Sequence, residues 1–289
     1  MNKERIISAK LSSCVYSVLP YILFVNMLMS LNNFHTHTSR CGHATGEDEE
    51  YVQKAIEAGI KVLGFSDHVP WPDLLHPGMR MSPDLVENYV KSLTILKNKY
   101  KNQIEIHIGF EAEYVKEYMP YYEYLKRECG IEYFLLGQHC TIHGDHFYFY
   151  NEYQNDPVKT KEYVDDLIAG MESGLFSYVA HPDIFLQGYH FDDEFVDNQI
   201  RRICQKAKSL NLPLELNYGK IRIGLTKYGA HDAYNHYPFY KFWKVVGEYD
   251  IPVVLGIDAH TPEEFTFDCS SVVNEFKEKF GLRIIEFHL

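Results

Sequence analysis

From residue 32 onward, apolar segments of strand length alternate with segments of helical period. The strand-length runs lie near residues 33–37, 61–66, 104–110, 133–137, 177–180, 213–217 and 252–257. Two apolar helical stripes lie between them: Val164, Leu167, Ile168 and Met171, and then Val196, Ile200, Ile203, Ala207 and Leu210. A third helix is predicted over 47–58, because acidic residues begin it and Gly59 follows it. Seven β-α units without a linker predict an α/β fold with a parallel barrel, not an open sheet plus a second domain.

The first 31 residues differ from the rest of the chain. Three basic residues precede an apolar stretch, 15–31, an order typical of a signal peptide or a short membrane anchor. That stretch is shorter than a usual membrane span, and His35 follows so closely that cleavage or insertion would crowd the first strand. We therefore expect residues 1–31 to be a dispensable extension and residues 32–289 to form a single domain.

The composition limits the class of protein. A hydrophobic content of 46% with 24% charged residues excludes a disordered chain. The net charge of −12 argues against a broad nucleic-acid surface, which needs clustered Lys and Arg. Six cysteines show no CxxC motif and no framework spacing, as expected for reduced thiols in the cytoplasm.

Nine potential metal ligands end the predicted strands or follow them closely. They are seven imidazoles and two carboxylates: His35, His37, His43, His68, Glu111, His139, His181, Asp258 and His260. In parallel barrels, catalytic groups gather at the carboxyl ends of the strands, so we expect these side chains to meet. A lone histidine at a strand end is usually an ordinary polar residue. Candidate ligands at six strand ends, all at the same level of the barrel, are too many to be ordinary polar residues. Because imidazole and carboxylate bind zinc, manganese and iron alike, the set predicts two to three divalent transition-metal ions.

Three motifs resemble a known family. They are His35-Thr-His-Thr38 followed by Gly42-His43, the helix Glu49-Glu-Tyr-Val-Gln-Lys-Ala-Ile-Glu-Ala-Gly59, and Gly64-Phe-Ser-Asp-His-Val-Pro70. Beyond the extension, the chain resembles the polymerase-and-histidinol-phosphatase (PHP) superfamily, and within it the monofunctional histidinol-phosphatase branch. The resemblance implies a distorted, TIM-like (β/α)7 barrel that holds three metal ions.

The resemblance also implies how the ligands divide among the ions. The first ion takes His35, His37, Glu111 and Asp258; the second shares Glu111 and takes His139 and His181; the third takes His43, His68 and His260. Glu113 lies two residues after Glu111 and faces the same way on a strand. The family pattern favours Glu111 as the ligand and Glu113 as a supporting or substrate contact.

This cluster predicts a hydrolytic mechanism. Two metal ions roughly 3.5–4 Å apart lower the pKa of a bridging water towards about 7, so that a hydroxide can attack phosphorus directly. The candidate catalytic residues are Glu111, Asp258 and His260, and the sequence leaves open whether Asp258 or a neighbouring histidine protonates the leaving oxygen. Asp67 and Asp183 are candidates to orient ligand imidazoles or, equally, to cap loops.

Three cations are candidates for phosphate contact. Lys220 and Arg222 follow the sixth predicted strand, which supplies no evident metal ligand, and Arg40 follows the first histidine motif. Cations at this end of the barrel would suit phosphate oxygens that the metals leave free, although solvated surface residues are the alternative. Three long, aromatic loops are expected to cover the substrate: 69–82, 140–157 and 219–238.

The family branch implies a phosphoric monoester hydrolase that converts L-histidinol phosphate to L-histidinol and phosphate in histidine biosynthesis. The alternative is a related phosphoesterase that acts on another small phosphomonoester or on nucleotide ends. A non-catalytic metal-binding module is the third interpretation, which the complete ligand set disfavours. We expect a small-molecule substrate, no nucleic-acid partner and no stable membrane association; the oligomeric state is not predicted.

Overall fold

The computed structural model describes residues 32–73, 78–143 and 146–289, so the predicted extension lies outside the described residues. The strands are β1 Val62–Phe65, β2 Glu105–Ala112, β3 Tyr133–Leu136, β4 Cys140–His143, β5 His146–Phe149, β6 Leu214–Asn217, β7 Pro252–Gly256 and β8 Arg283–Ile284. The helices are α1 Asp48–Glu57, α2 Val86–Tyr100, α3 Met119–Glu128, α4 Pro157–Glu172, α5 Glu194–Leu210, α6 Gly219–Tyr228, α7 Tyr240–Glu248 and α8 Ser270–Phe280.

The strands form two parallel sheets and a hairpin. The sheets have the orders β1-β2-β3 and β6-β7-β8, and β4 pairs with β5 in antiparallel fashion. β1, β3, β6 and β7 are buried along their whole length, as expected where helices cover a parallel sheet. Together with the helices between the strands, these sheets make a single-domain α/β fold.

Isolated parallel bridges extend both sheets into the segments predicted as the first and fifth strands. The bridges pair Asn33 with Leu63, Thr36 with Ala259, Leu136 with Val179, and Val179 with Leu214. Neither predicted strand forms a continuous ladder.

Side chains replace part of that ladder in the first segment. Ser66 Oγ accepts the backbone N–H of Thr36 at 3.0 Å, and Asn33 Oδ1 accepts the backbone N–H of Ile257 at 2.9 Å. Because these side chains satisfy backbone groups that a neighbouring strand would otherwise bind, regular strand structure is interrupted here.

The predicted helical stripes are confirmed. α4 buries Val164, Leu167 and Met171, while Ile168 is partly buried against the same core. α5 buries the second stripe except Leu210, which is exposed. The side chain of Asp193 accepts the N–H of Val196 at the start of α5, a usual N-terminal cap.

Two segments predicted to be loops contain regular structure. The 140–157 segment contains the hairpin β4-β5, and the 219–238 segment begins with α6. Asn217 Oδ1 accepts the backbone N–H of Gly219 at 2.8 Å where α6 begins, and Gly229 follows its last residue with φ +72. β8 is a further short strand that the sequence pattern did not predict. Among the described residues, no helix is both long and apolar enough to cross a membrane.

Candidate metal centre

Glu111, at the carboxyl end of β2, lies at the centre of the predicted ligand set. Its Oε2 is 3.1 Å from His68 Nδ1 and 3.4 Å from both His35 Nε2 and His37 Nε2. Its Oε1 is 2.7 Å from His181 Nε2 and 3.5 Å from His139 Nε2. One carboxylate therefore touches the side chains of five histidines.

The remaining three candidates complete the cluster. Asp258 Oδ1 lies 3.4 Å from His35 Nε2 and 3.3 Å from His37 Nε2. His260 stacks on His37 with ring centroids 4.3 Å apart, and its Nε2 is 3.1 Å from His43 Nε2. The structure thus brings all nine candidate ligands together at the carboxyl ends of the strands.

The chemistry of the buried donor atoms fits metal ions. His35 Nε2, His37 Nε2 and Glu111 Oε2 are buried and have no hydrogen-bond partner among the described residues, an arrangement that is costly unless a cation satisfies them. In tetrahedral geometry, ligand atoms about 2.0–2.2 Å from a shared zinc ion are about 3.3–3.6 Å from one another. The distances of 3.3–3.4 Å that join His35 Nε2 and His37 Nε2 to Glu111 Oε2 and Asp258 Oδ1 match that spacing.

Oxygen acceptors orient four of the imidazoles in the same sense. In each case Nδ1 faces an oxygen atom: Glu215 for His35, Glu113 for His139, the carbonyl of Cys41 for His43, and the carbonyl of Asp258 for His260. A proton on Nδ1 leaves Nε2 free to bind a metal, and metal-ligating histidines usually have such a partner. The predicted supporting role of Glu113 agrees with its contact to His139.

The electrostatics favour the metal-binding protonation states. Burial and the nearby His260 lower the pKa of His37 to about 3, so this imidazole is neutral. The pKa of Asp258 is held well below its usual value because His35 and His37 outweigh the effect of burial. His35 differs, because burial lowers its pKa but Glu215 and Asp258 raise it by more. The net result is a pKa well above the usual value. The positive charge that these carboxylates attract is the charge that a cation would supply.

Two candidate ligands have unusual backbone conformations. His181 has φ +28 and Asp258 has φ +52, a left-handed region that non-glycine residues adopt rarely and that often marks a functional site. Arg222 Nη2 donates to the carbonyl of Asp258 at 3.2 Å, and its Nη1 donates to the carbonyl of Ile257. The guanidinium therefore braces the strained turn after β7.

A cavity of about 390 Å³ opens beside the ligand cluster. Lys220 and Arg222 line it together with ligand residues and with Met79, Tyr150, Ile184, Ile223, Tyr237 and Glu264. The structure therefore places two of the three predicted phosphate contacts at the cavity.

Arg40, the third predicted phosphate contact, lies outside this cavity. Its guanidinium donates to the carboxylate of Asp48 at 2.6 and 2.8 Å and lies 5.7 Å from the ring centroid of Tyr89. Because Asp48 already satisfies this cation, the placement does not support phosphate binding by Arg40.

Asp67 and Asp183 do not orient ligand imidazoles. Asp67 accepts the backbone N–H and the hydroxyl of Thr38 at 2.7 and 2.6 Å. Asp183 accepts the backbone N–H of Phe239 at 2.6 Å and the indole N–H of Trp243 at 3.2 Å. Both aspartates hold loops, as the alternative interpretation expected.

The residues that sequence reasoning missed are Glu215 and Arg80. Glu215 and Asn217 alternate with apolar residues in β6, so their shared face was a usable signal. Arg80 lies in a loop, and nothing in its spacing indicates that it binds Glu113 at 3.1 and 3.2 Å. The Cys41 thiol, which is near the ligands, has its pKa raised to about 12 by burial, in agreement with a space-filling role.

The parallel α/β fold and the histidine-carboxylate cluster place this chain in the class of metal-dependent α/β domains. The model of the PHP domain family matches residues 33–219. The chain belongs to this family.

Curated relatives and a solved structure add detail. A protein of Deinococcus radiodurans named "Probable histidinol-phosphatase" is 26% identical over 258 residues, covering 88% of this chain and 95% of the relative. The histidinol-phosphatase of Bacillus subtilis is 27% identical over 96 residues, covering 31% of this chain and 36% of the relative. The structure of histidinol phosphate phosphatase from Lactococcus lactis, complexed with zinc, L-histidinol and phosphate, matches with a TM-score of 0.65 and 18% identity over 89% of this chain and 95% of that chain.

Proposed function

We propose that this protein is a metal-dependent histidinol-phosphatase, which hydrolyses L-histidinol phosphate to L-histidinol and phosphate in histidine biosynthesis. The meeting of nine candidate ligands in one cluster, in which five imidazoles contact Glu111, next to a cavity with two cations, is the observation that carries the proposal. The name of the Deinococcus relative, which aligns over nearly the whole of both chains, supports the substrate.

We also propose that residues 32–289 close into a distorted (β/α)7 barrel. The bridges of Asn33 to Leu63 and of Thr36 to Ala259 support closure, because they place the first segment between β1 and the end of β7. The bridges of Val179 to Leu136 and Leu214 support the same arrangement between β3 and β6.

The nine residues would hold two to three divalent ions in the grouping that the family implies. One ion would be held by His35, His37, Asp258 and Glu111. A second would share Glu111 and be held by His139 and His181. A third would be held by His43, His68 and His260. When bound, these ions supply the charge that neutralises phosphate oxygens and lowers the pKa of water, so that hydroxide is available at neutral pH. The spacing of the ligand atoms of His35, His37, Glu111 and Asp258 supports the first of these groups.

The protein's own groups would orient the ester and supply a proton. Lys220 lines the cavity, where its charge suits a phosphate oxygen. Arg222 also lines it, but its guanidinium already binds Glu264 at 3.0 Å and donates to the carbonyls of Ile257 and Asp258. Asp258 is held in its ionised form, so it is an acceptor rather than a proton donor at neutral pH. His260, whose side chain is 26% exposed at the cavity, is the better candidate to protonate the leaving oxygen when two ions rather than three are bound.

The proposed setting follows from the same chemistry. The substrate is a small molecule that fits a cavity of about 390 Å³. The net charge of −12 supports the absence of a nucleic-acid partner. An enzyme of amino-acid biosynthesis with free buried thiols suits the cytoplasm.

Phosphate release from a panel of phosphomonoesters and phosphodiesters tests the proposal, with metal content measured on the same sample. We expect a preference of about 100-fold for histidinol phosphate over other monoesters. A His37→Ala variant should lose metal and activity together, whereas His107→Ala, outside the cluster, should keep both. Equal rates across the panel would favour the broader phosphoesterase, and activity on diesters alone would contradict a monoesterase.

A further inference from the structure

Glu215 in β6 is a buried carboxylate whose two oxygens both contact the candidate metal centre. Its Oε1 lies 2.8 Å from His35 Nδ1, and its Oε2 lies 3.1 Å from the same nitrogen. Oε2 also accepts the backbone N–H of His181 at 3.0 Å. A single carboxylate therefore contacts the ring of one candidate ligand and the backbone of another.

Asn217 extends these contacts to a third ligand. Its Nδ2 donates to Glu215 Oε2 at 2.8 Å and lies 3.3 Å from Asp258 Oδ2. The side-chain oxygen of Asn217 accepts the backbone N–H of Gly219 at 2.8 Å, which settles the orientation of the amide. Glu215 is thus connected to His35, His181 and Asp258, which lie on three different segments.

The neighbouring strand leaves room for this carboxylate. Gly256 ends β7, and a Cβ atom at that position would lie 1.7 Å from Glu215 Oε1 and 2.3 Å from its Cδ. Such distances are far shorter than a van der Waals contact, so any larger residue at position 256 would displace the glutamate. Gly256 is therefore matched to the buried position of Glu215.

We propose that Glu215 is a positioning residue for the metal centre. By accepting the Nδ1 proton of His35, it selects the tautomer whose Nε2 is free to bind metal, and it aims that nitrogen at Glu111. Its second oxygen holds His181 at φ +28, a conformation that costs energy without such support. The inference rests on the proposed metal site but not on the identity of the substrate.

The first test compares Glu215→Gln with Glu132→Gln, whose carboxylate contacts His107 Nδ1 at 2.7 Å outside the site. Zinc affinity is measured by competition with a chelator, and folding by near-ultraviolet circular dichroism. We expect zinc binding about 10–100-fold weaker for E215Q and unchanged for E132Q. Saturating zinc should restore most of the activity of E215Q, because Glu215 orients ligands and does not line the cavity. Wild-type zinc affinity in a folded E215Q would overturn the proposal.

A second variant and a measurement on the unaltered protein guard against a folding failure. Gly256→Ala should lower zinc affinity as E215Q does, because it displaces the same carboxylate. In the wild-type zinc-loaded protein, nitrogen-15 spectra of the imidazoles, assigned with His35→Gln, should show the proton of His35 on Nδ1. A proton on Nε2, or a zinc-bound Nδ1, would contradict the proposal whether or not the variants fold.

The two proposals fail in different ways. If the wild-type protein binds zinc but releases no phosphate from histidinol phosphate, the proposed substrate is wrong while the zinc affinity of E215Q still decides the role of Glu215. If histidinol phosphate is hydrolysed and E215Q binds zinc normally, the proposed function stands and the positioning role is wrong.

Discussion

The guanidinium of Arg80 holds the carboxylate of Glu113 through two buried contacts, 3.2 Å from Nη1 and 3.1 Å from Nη2. The same guanidinium lies 3.7 Å from the ring centroid of Trp71. Glu113 Oε1 in turn lies 3.0 Å from His139 Nδ1. The ion pair therefore connects the loop after β1 to a candidate metal ligand.

Removing the cation should destabilise the fold strongly. Burial raises the pKa of Glu113, but the opposing effect of Arg80 and His139 is larger and lowers this pKa to about 2. In Arg80→Met the carboxylate would remain buried without its main partner, which typically costs roughly 3–5 kcal/mol. Urea unfolding measures this loss, and Arg80→Met with Glu113→Gln should recover part of it because the uncompensated charge is gone.

An exposed ion pair supplies the control for this prediction. Lys97 binds Glu132 at 2.7 Å, and its side chain is 40% exposed. Lys97→Met should therefore change the free energy of unfolding by no more than about 1 kcal/mol. Equal costs for Arg80→Met and Lys97→Met would contradict a structural role for the buried pair.

A methyl group beside the central carboxylate should disturb the whole cluster. A Cβ at Gly137 would lie 2.0 Å from Glu111 Oε1 and 2.5 Å from its Cδ. Gly137→Ala should therefore displace Glu111, reduce bound metal and lower kcat/KM about 100-fold, as small misplacements in active sites do. Gly78→Ala is the control, because no atom lies within 4 Å of the Cβ it would add. Full metal content in Gly137→Ala would show that Glu111 is not the central ligand.

The ligand cluster was predictable because its signal is local. Each candidate ligand ends or follows an apolar run, and parallel strands bring their carboxyl ends to the same edge. Two ligands on one strand, such as His35 and His37, also share a face because side chains alternate. The meeting of most of these side chains at one edge therefore follows from strand order and alternation.

The partners of these ligands were harder to predict because they depend on tertiary contacts. His35 and Glu215 are 180 residues apart, and no spacing rule connects them before the fold is known. Asp67 stands next to His68 in the chain but contacts Thr38, because adjacent side chains in an extended segment point to opposite faces. Sequence proximity therefore could not decide whether Asp67 orients an imidazole or caps a loop.

Lys220 at the cavity should affect substrate binding more than turnover. If its ammonium contacts a free phosphate oxygen in both ground and transition states, Lys220→Ala should raise KM about 10-fold and leave kcat nearly unchanged. Lys227, on the same helix α6 but outside the cavity, supplies the matched control. Initial rates on histidinol phosphate over a range of concentrations separate the two constants. A fall in kcat with constant KM would instead assign Lys220 to the chemical step.

His107 and Glu132 should make stability depend on pH at a position outside the metal centre. His107 Nδ1 lies 2.7 Å from Glu132 Oε2, and this contact raises the pKa of His107. A histidine with a raised pKa stabilises the folded state fully below its unfolded pKa of about 6.5. That contribution is lost as the pH rises through the folded pKa, because the folded protein then releases the proton.

Replacing His107 should therefore cost more stability at low pH than at high pH. We expect urea unfolding of His107→Gln to show a deficit relative to wild type of about 1 kcal/mol or less at pH 5.5 that shrinks towards pH 9, since the pair is only partly buried. Glu132→Gln should show the same trend, because it removes the carboxylate that raises the pKa. A deficit that stays constant or grows with pH would mean that His107 stabilises the fold by packing, as its ring centroid 5.6 Å from that of Phe34 would allow.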